Sequence, residues 1–261
     1  MLICPVCGAP LIADDRLVFC ENGHRFDKAK EGYVNLLRSN KSGALMGDDK
    51  LAARSRRDFL NKGYYSLLRD GLMSLFRDKT GTLLDICCGE GYYTSALAAI
   101  DGLDVYGFDI SKEMIRLAAK RGGATCFVAN LATIPMSSGS VDYAIHLFAP
   151  FQEKEFSRVL NRGGRLYSVV PGARHLWGLK ETLYETPYLN DEKLPQTESL
   201  LLSGTTKLSG KILLRSQEDI QAVFRMTPYY FHTSSADKNK LEGLDHLETE
   251  IEFVIGEYTK E

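Results

Sequence analysis

The sequence predicts an α/β fold: a doubly wound, mostly parallel sheet with helices on both faces, preceded by a small N-terminal metal-binding module. Three observations predict it. From Thr82 onward, short apolar runs alternate with amphipathic helical patterns, the rhythm of successive βα units. Residues 83–94, LLDICCGEGYYT, read as strand, glycine turn and helix, the geometry that brings backbone N–H groups to a ligand at the carboxyl end of a parallel strand. The first 24 residues hold three cysteines and a histidine at metal-ligand spacing.

Length and composition bound the answer. At 261 residues the chain can bury one large core, or a core plus a small module. Hydrophobic content of 44% and charged content of 25% are ordinary for a soluble globular protein. No apolar run approaches membrane-spanning length, and the amino terminus lacks the charged and long apolar regions of a secretory signal, so a cytoplasmic location is expected. The net charge of −2 argues against a generally cationic nucleic-acid binder. The charge is uneven: residues 1–62 hold 11 Lys/Arg against 8 Asp/Glu, and residues 197–261 hold 7 against 11. This permits a basic face near the N-terminus or a plain solvated surface.

In chain order, residues 1–26 carry Cys4-Pro5-Val6-Cys7 and, twelve residues on, Cys20, then His24. Two strand-like pieces flank the polar turn Asp14-Asp15-Arg16. Two knuckles joined by a hairpin set three thiolates and an imidazole tetrahedrally, a closed structural zinc site with no position left for a substrate. So short a module has almost no core, and metal ligation supplies most of its folding energy. Residues 27–63 read as a connector, with apolar anchors at Tyr33, Val34, Leu36 and Leu37, a loop rich in Ser, Gly, Asn and Asp, and a basic helix from Asp49. That helix sets Leu51, Phe59 and Leu60 on one stripe and Arg54, Arg56, Arg57 and Lys62 mostly on the other side. It is either a phosphate-gripping surface or a solvated face. Expected boundaries are a zinc-binding module at 1–35, linker and basic helix at 36–62, and a catalytic domain at 63–261.

Tyr64-Tyr65 opens a helix with leucines and Phe76 at helical spacing. Strands follow at 83–88, 105–110, 125–129, 141–148 and 165–170, with helices at 92–99, 112–120 and 153–160. Asp85 sits beside the glycine turn Gly89-Glu90-Gly91. A carboxylate there repels a pyrophosphate but suits a cationic, amino-bearing ligand, which favours S-adenosylmethionine (AdoMet) over a nicotinamide cofactor. Asp109 ends the second strand, 24 residues after Asp85, placed for both ribose hydroxyls of a nucleoside or as a cap of the next helix. Asn130 follows the third strand, where an adenine edge would lie. Gly163-Gly164 reads as a turn before the fifth strand, and residues 171–175 leave that strand's ligand-facing end. A helix runs from Arg174 to about Tyr184. Residues 199–214 are apolar and β-like, and Ser216 caps an amphipathic helix over 216–226. Residues 227–231 form a strand or turn whose three aromatics are core or a base-stacking platform. Residues 246–258 alternate as a closing antiparallel strand.

Four blocks, CPVC…CENGH, FDKAKEGYVNLL, DICCGEGYYT and PGARHL, resemble the bacterial 23S rRNA guanine-N1 methyltransferases with an N-terminal zinc finger, across essentially the whole chain. The resemblance implies a class I methyltransferase fold with a mostly parallel seven-stranded sheet. It implies Cys4, Cys7, Cys20 and His24 as zinc ligands, and Tyr65, Gly89, Glu90 and His175 as AdoMet contacts. Class I practice adds Asp85, Gly91, Asp109 and Asn130. It also implies a homodimer and a target in a 23S rRNA hairpin loop. The class prefers glycine where this chain has Cys87, whose side chain must point into the sheet or crowd the cofactor.

The implied reaction is in-line attack by guanine N1 on the AdoMet methyl. It requires loss of the N1 proton or stabilisation of charge at O6. His175 and Asp142 are the candidates for that role, with His175 favoured as a cofactor contact. The alternatives are a small-molecule AdoMet-dependent methyltransferase and a non-catalytic, zinc-dependent RNA-binding protein.

Overall fold

The computed structural model describes residues 1–37 and 50–261; the expected loop over 39–49 and the helix start at Asp49 lie outside these residues. Three very short strands come first, β1 (Ile12–Ala13), β2 (Leu17–Phe19) and β3 (Arg25–Asp27), paired antiparallel in that order. The β1–β2 turn forms because the Asp14 carboxylate accepts the N–H groups of Arg16 (2.7 Å) and Leu17 (2.8 Å). After β4 (Val34–Asn35) come α1 (Lys50–Asn61) and α2 (Ser66–Phe76). The alternation then runs β5 (Gly81–Ile86), α3 (Tyr92–Leu97), β6 (Leu103–Asp109), α4 (Lys112–Arg121), β7 (Thr125–Val128), β8 (Val141–Leu147), α5 (Glu153–Val159), β9 (Leu160–Pro171) and α6 (Trp177–Leu183). The chain closes with β10 (Leu200–Leu214), α7 (Gln217–Arg225), a 3-10 turn (Pro228–Phe231), α8 (Ser235–Asn239) and β11 (Leu247–Lys260).

The large sheet is class I methyltransferase-like, in the order β10-β11-β9-β8-β5-β6-β7-β4, with β10 and β11 antiparallel. Chain order reverses between β5 and β8, and ligands of such sheets bind at the carboxyl ends beside that switch point. The sheet has eight strands where seven were expected. Val34 and Asn35, read as module end and connector, pair parallel with Phe127 and Val128. They cover backbone groups of β7 that an open edge would leave bare.

Two apolar layers flank the sheet. Leu68, Leu72 and Phe76 of α2, Leu97 of α3, and Leu179 and Leu183 of α6 bury themselves on one face. On the other, Phe156 and Val159 of α5 share a cluster with Leu84, Phe108 and Phe127, and Val18 of the zinc hairpin belongs to that same cluster. No helix joins β7 to β8, and the N-terminal module packs against this segment instead. Ile3 N–H donates to Pro135 O (3.0 Å), and Ser137 N–H donates to Met1 O (2.9 Å). The module therefore borrows a core it was not expected to have.

One local expectation is corrected. Gly163-Gly164 lies within β9, as an irregularity in its register with β8 rather than a turn before the strand. Of the two forms expected for residues 227–231, strand or turn, the structure has the turn: residues 228–231 are 3-10, because Pro228 starts it and cannot donate to a sheet ladder. At the carboxyl edge, Pro171 pairs with Phe253, so the β10–β11 hairpin from 208 to 252 projects beyond the parallel strands. There α7 packs against α1, roofing the ligand-facing edge.

Candidate functional site

In the N-terminal module the ligand atoms of Cys4, Cys7, Cys20 and His24 all lie within 4.8 Å of one another. Cys7 Sγ and Cys20 Sγ are 3.7 Å apart, and Cys20 Sγ is 3.4 Å from His24 Nδ1. Zinc–sulfur bonds of about 2.3 Å at tetrahedral angles put sulfurs ~3.8 Å apart, so the donor set fits zinc and is far from a disulfide. Cys4 and Cys20 are buried. The Asn22 side-chain amide donates to Cys7 Sγ at 3.4 Å and lowers that thiol's pKa to about 6, towards the thiolate a metal needs. Four protein donors close the site to substrate.

The glycine turn joins β5 to α3. Gly91 has φ 79°, and a Cβ there would stand 2.8 Å from Ala118 Cβ, so glycine is what lets α3 and α4 approach. At Gly89, φ 56°, a Cβ would meet nothing within 4 Å, which leaves open space above the turn. Asp109 at the end of β6 accepts the Gly89 N–H (3.1 Å) and the Ser111 N–H (2.8 Å), so strand end, turn and helix start are tied by one carboxylate. Asp85 is buried and accepts the Thr94 hydroxyl at 2.6 Å; burial pushes its pKa up to about 7.

Glu90 is buried and paired through Oε2 with Arg121, the last residue of α4. Burial still holds its carboxyl above the usual range. Its other oxygen, Oε1, is buried with no hydrogen-bond partner among the described residues. Arg121 also donates to Asn61 (2.7 Å) and lies 5.7 Å from the Tyr92 ring centre. Neither its spacing nor its neighbours in sequence mark it, so sequence reasoning missed it.

On the far side of the switch point, Tyr65 precedes α2 and His175 follows β9. Glu252 N–H donates to His175 Nδ1 (3.2 Å), so the ring proton sits on Nε2 and is donated to the Tyr65 hydroxyl (3.0 Å). Burial lowers the His175 pKa to about 4. With its one lone pair engaged, His175 is a fixed hydrogen-bond donor and not a general base. Asp142 is excluded by place. It binds Thr82 N–H (2.7 Å) and the Asn161 amide at the amino end of β5, the opposite edge of the sheet. Asn130 is exposed, and its Oδ1 is spent on the Ala132 N–H (2.9 Å) in a local turn. Arg54 and Arg57 of the basic helix face solvent, whereas Lys62 is drawn to Asp219 of α7 at 2.5 Å.

Among the described residues, three other than glycine take positive φ: Cys87 (58°), Phe148 (54°) and Leu176 (58°). They follow β5, β8 and β9, neighbouring strands, all at the carboxyl edge. Such conformations cost on the order of 1–3 kcal/mol each and gather at functional sites. In this conformation Cys87 packs against the apolar cluster that holds Leu84 and Phe108, and burial raises its thiol pKa to about 12. Phe148 is 45% exposed, and its ring lies 6.0 Å from Phe253. The nearby His146 donates from Nε2 to Pro150 O (3.2 Å), which pins this loop. A strained exposed aromatic has no sequence signature, and it too was missed.

Known families and proteins resemble both parts of the chain. Residues 2–42 match the family described as "RlmA, N-terminal", and residues 83–166 match "Methyltransferase domain". The 23S rRNA (guanine(748)-N(1))-methyltransferase of Streptomyces fradiae is 36% identical over 70% of this chain and 67% of its own length. YxjB of Bacillus subtilis (strain 168), which carries the provisional name of a 23S rRNA (guanine-N1)-methyltransferase, is 28% identical over 98% of this chain and 96% of its own. Among solved structures, YcgJ of Bacillus subtilis aligns with a TM-score of 0.49 at 15% identity, covering 76% of this chain and 98% of that one.

Proposed function

The chain belongs to the 23S rRNA (guanine-N1)-methyltransferase family, and on that footing we propose that it methylates N1 of a guanine in a hairpin loop of 23S rRNA. The observation that carries this reading is the joining, in one apolar cluster, of a zinc hairpin and a methyltransferase sheet. A small-molecule transferase has no use for the first. AdoMet is the methyl donor and zinc is structural. The cytoplasm is the proposed location; among the described residues no helix is long and apolar enough to cross a membrane. A homodimer is proposed as the working form, with a zinc-binding module at 1–35 and the transferase domain at 63–261.

The chemistry of the turn supports AdoMet. Open space above Gly89 admits a ligand against the backbone, and the buried, unpartnered Glu90 Oε1 suits an ammonium donor. In our reading Asp109 holds the ribose hydroxyls, Asp85 and Glu90 supply negative field for the amino end, and Gly91 keeps α3 close. Tyr65 and His175 wall the far side as one hydrogen-bonded pair, and Asn130 borders the adenine side. Bound AdoMet supplies an electrophilic methyl whose departure leaves a neutral thioether, so no acid is needed. The residues contribute mainly position, worth about 7–11 kcal/mol in well-oriented systems. A loop guanine must be splayed out of its stack at a cost of a few kcal/mol, and Phe148 offers an exposed ring at the carboxyl edge to receive it.

The test is direct. Purified chain, labelled AdoMet and 23S rRNA from cells lacking this protein should yield a new primer-extension stop at one hairpin-loop guanine. Label passing to small metabolites while rRNA stays unmodified would overturn the reading in favour of a small-molecule transferase. Absence of AdoMet binding in calorimetry would leave an RNA-binding protein without catalysis.

A further inference from the structure

We infer that a tyrosine-walled cleft beside the site binds an unpaired base of the RNA by stacking, next to the base that is methylated; this rests on the rRNA reading above. The cleft, of about 580 Å³, lies between the loop after α6 and the 3-10 turn, with Tyr184, Tyr188, Asn190 and Asp191 on one side and Tyr229 and His232 on the other. Its walls are tied together by hydrogen bonds. Lys180, fully buried, donates to Tyr188 O (2.9 Å) and Asn190 Oδ1 (2.6 Å), and the Tyr184 hydroxyl is 2.7 Å from Thr233 Oγ1, joining the two walls.

The surroundings favour a nucleobase. Tyr188 is 52% exposed, Leu189 55% and Phe231, in the same 3-10 turn, 77%, so large apolar groups meet water in one region, the mark of a binding surface. Positive charge backs the rings: the Lys180 ammonium lies 4.2 Å from the Tyr188 ring centre and 5.5 Å from that of Tyr229. Aromatic rings interleaved with cations are what single-stranded nucleic acid stacks on, and every base offers a π-face. Asp191 in the wall is ion-paired with Lys193 (2.5 Å), so the rim offers a carboxylate to the N–H groups of a base edge and an ammonium to the backbone outside.

Position ties the cleft to the site. The Asn190 amide donates to Gly172 O (3.0 Å) and His175 O (2.9 Å), and Asn190 N–H donates to Ala173 O (2.9 Å). The loop that bears Tyr188 is thus fastened to the turn that bears His175. A guanine splayed to that edge leaves its neighbour in the strand beside this cleft.

The test uses the full zinc-loaded chain and a hairpin RNA with 2-aminopurine beside the target guanine. Wild type should quench the probe. Tyr188→Ala and Phe231→Ala, at exposed positions with little packing to lose, should each weaken RNA binding roughly 5- to 100-fold with AdoMet affinity unchanged. Tyr188→Phe and Phe231→Tyr should restore it. Alanine variants that bind the RNA as wild type does would overturn the cleft. Methyl transfer by wild type, scored separately, distinguishes the two claims. Quenching without methylation removes the rRNA-methylation reading and leaves the cleft standing, whereas methylation with unaffected variants removes only the cleft.

Discussion

Tyr65 and His175, 110 positions apart in sequence, share one buried hydrogen bond of 3.0 Å, with His175 Nε2–H as donor. The pair joins the start of α2 to the exit of β9. Tyr65→Phe leaves a buried N–H without an acceptor, and should cost about 1–3 kcal/mol in urea unfolding. Calorimetry should show weaker AdoMet binding in the same variant. An unchanged stability would mean that another acceptor takes over the Nε2 proton.

His175 also sets a pH dependence. Its folded pKa, about 4, lies below the ordinary histidine value of 6.5, so the unfolded chain binds the proton more tightly. Its stabilising contribution is full above 6.5 and is lost as pH falls towards 4, on the order of 3 kcal/mol in all. Unfolding curves of wild type and His175→Gln should converge in that window.

Asp85 works with the opposite sign. Its folded pKa is raised to about 7 from 3.8 by burial. Its contribution is therefore full below 3.8 and lost as pH rises through 7. Asp85→Asn, measured without AdoMet, should gain stability relative to wild type as pH climbs from 4 to 7. A constant difference across that range would mean that Asp85 is ionised throughout.

The two turn glycines should separate folding from binding. Gly91→Ala drives a Cβ to 2.8 Å from Ala118 in a left-handed conformation, and should destabilise the chain by a few kcal/mol. Gly89→Ala meets no protein atom within 4 Å. It should cost about 1 kcal/mol of strain yet weaken AdoMet binding at least tenfold. Asp109→Ala should do likewise, since it frees the Gly89 N–H and removes the ribose acceptor. Wild-type AdoMet affinity in both Gly89→Ala and Asp109→Ala would move the cofactor away from this turn.

Zinc should matter beyond the first 30 residues. Val18 shares a cluster with Phe127 and Leu84, and Leu2 bridges to Met136. Removing the metal with a chelator, or Cys7→Ser, should therefore lower the unfolding temperature of the whole chain, with zinc release and the Trp177 fluorescence change coinciding. A module that melts separately, with AdoMet binding intact, would show the shared cluster to be unimportant.

Much of this was legible in residue types alone. Spacing selected the zinc donors, because a tetrahedral site needs two knuckles. The βα rhythm set the parallel sheet, because period and turn chemistry are local. LLDICCGEGYYT marked the ligand-facing turn, because its two glycines take the left-handed backbone of a tight turn without strain. The partners of those residues were not legible. Glu90 and Arg121 meet across 31 positions, and Val18 and Phe127 across more than a hundred. Which lone pair of His175 is occupied depends on Glu252, from a strand that arrives last. Asp142 looked eligible by type and lies at the wrong end of its strand. Phe148 and Tyr188 are ordinary aromatics until the fold strains one and exposes both. The sequence determined which chemistry the chain carries, because ligand type and turn conformation are written in single residues. Tertiary structure decided which groups remain available for it, because burial, tautomer and ion pairing depend on neighbours that only folding brings near.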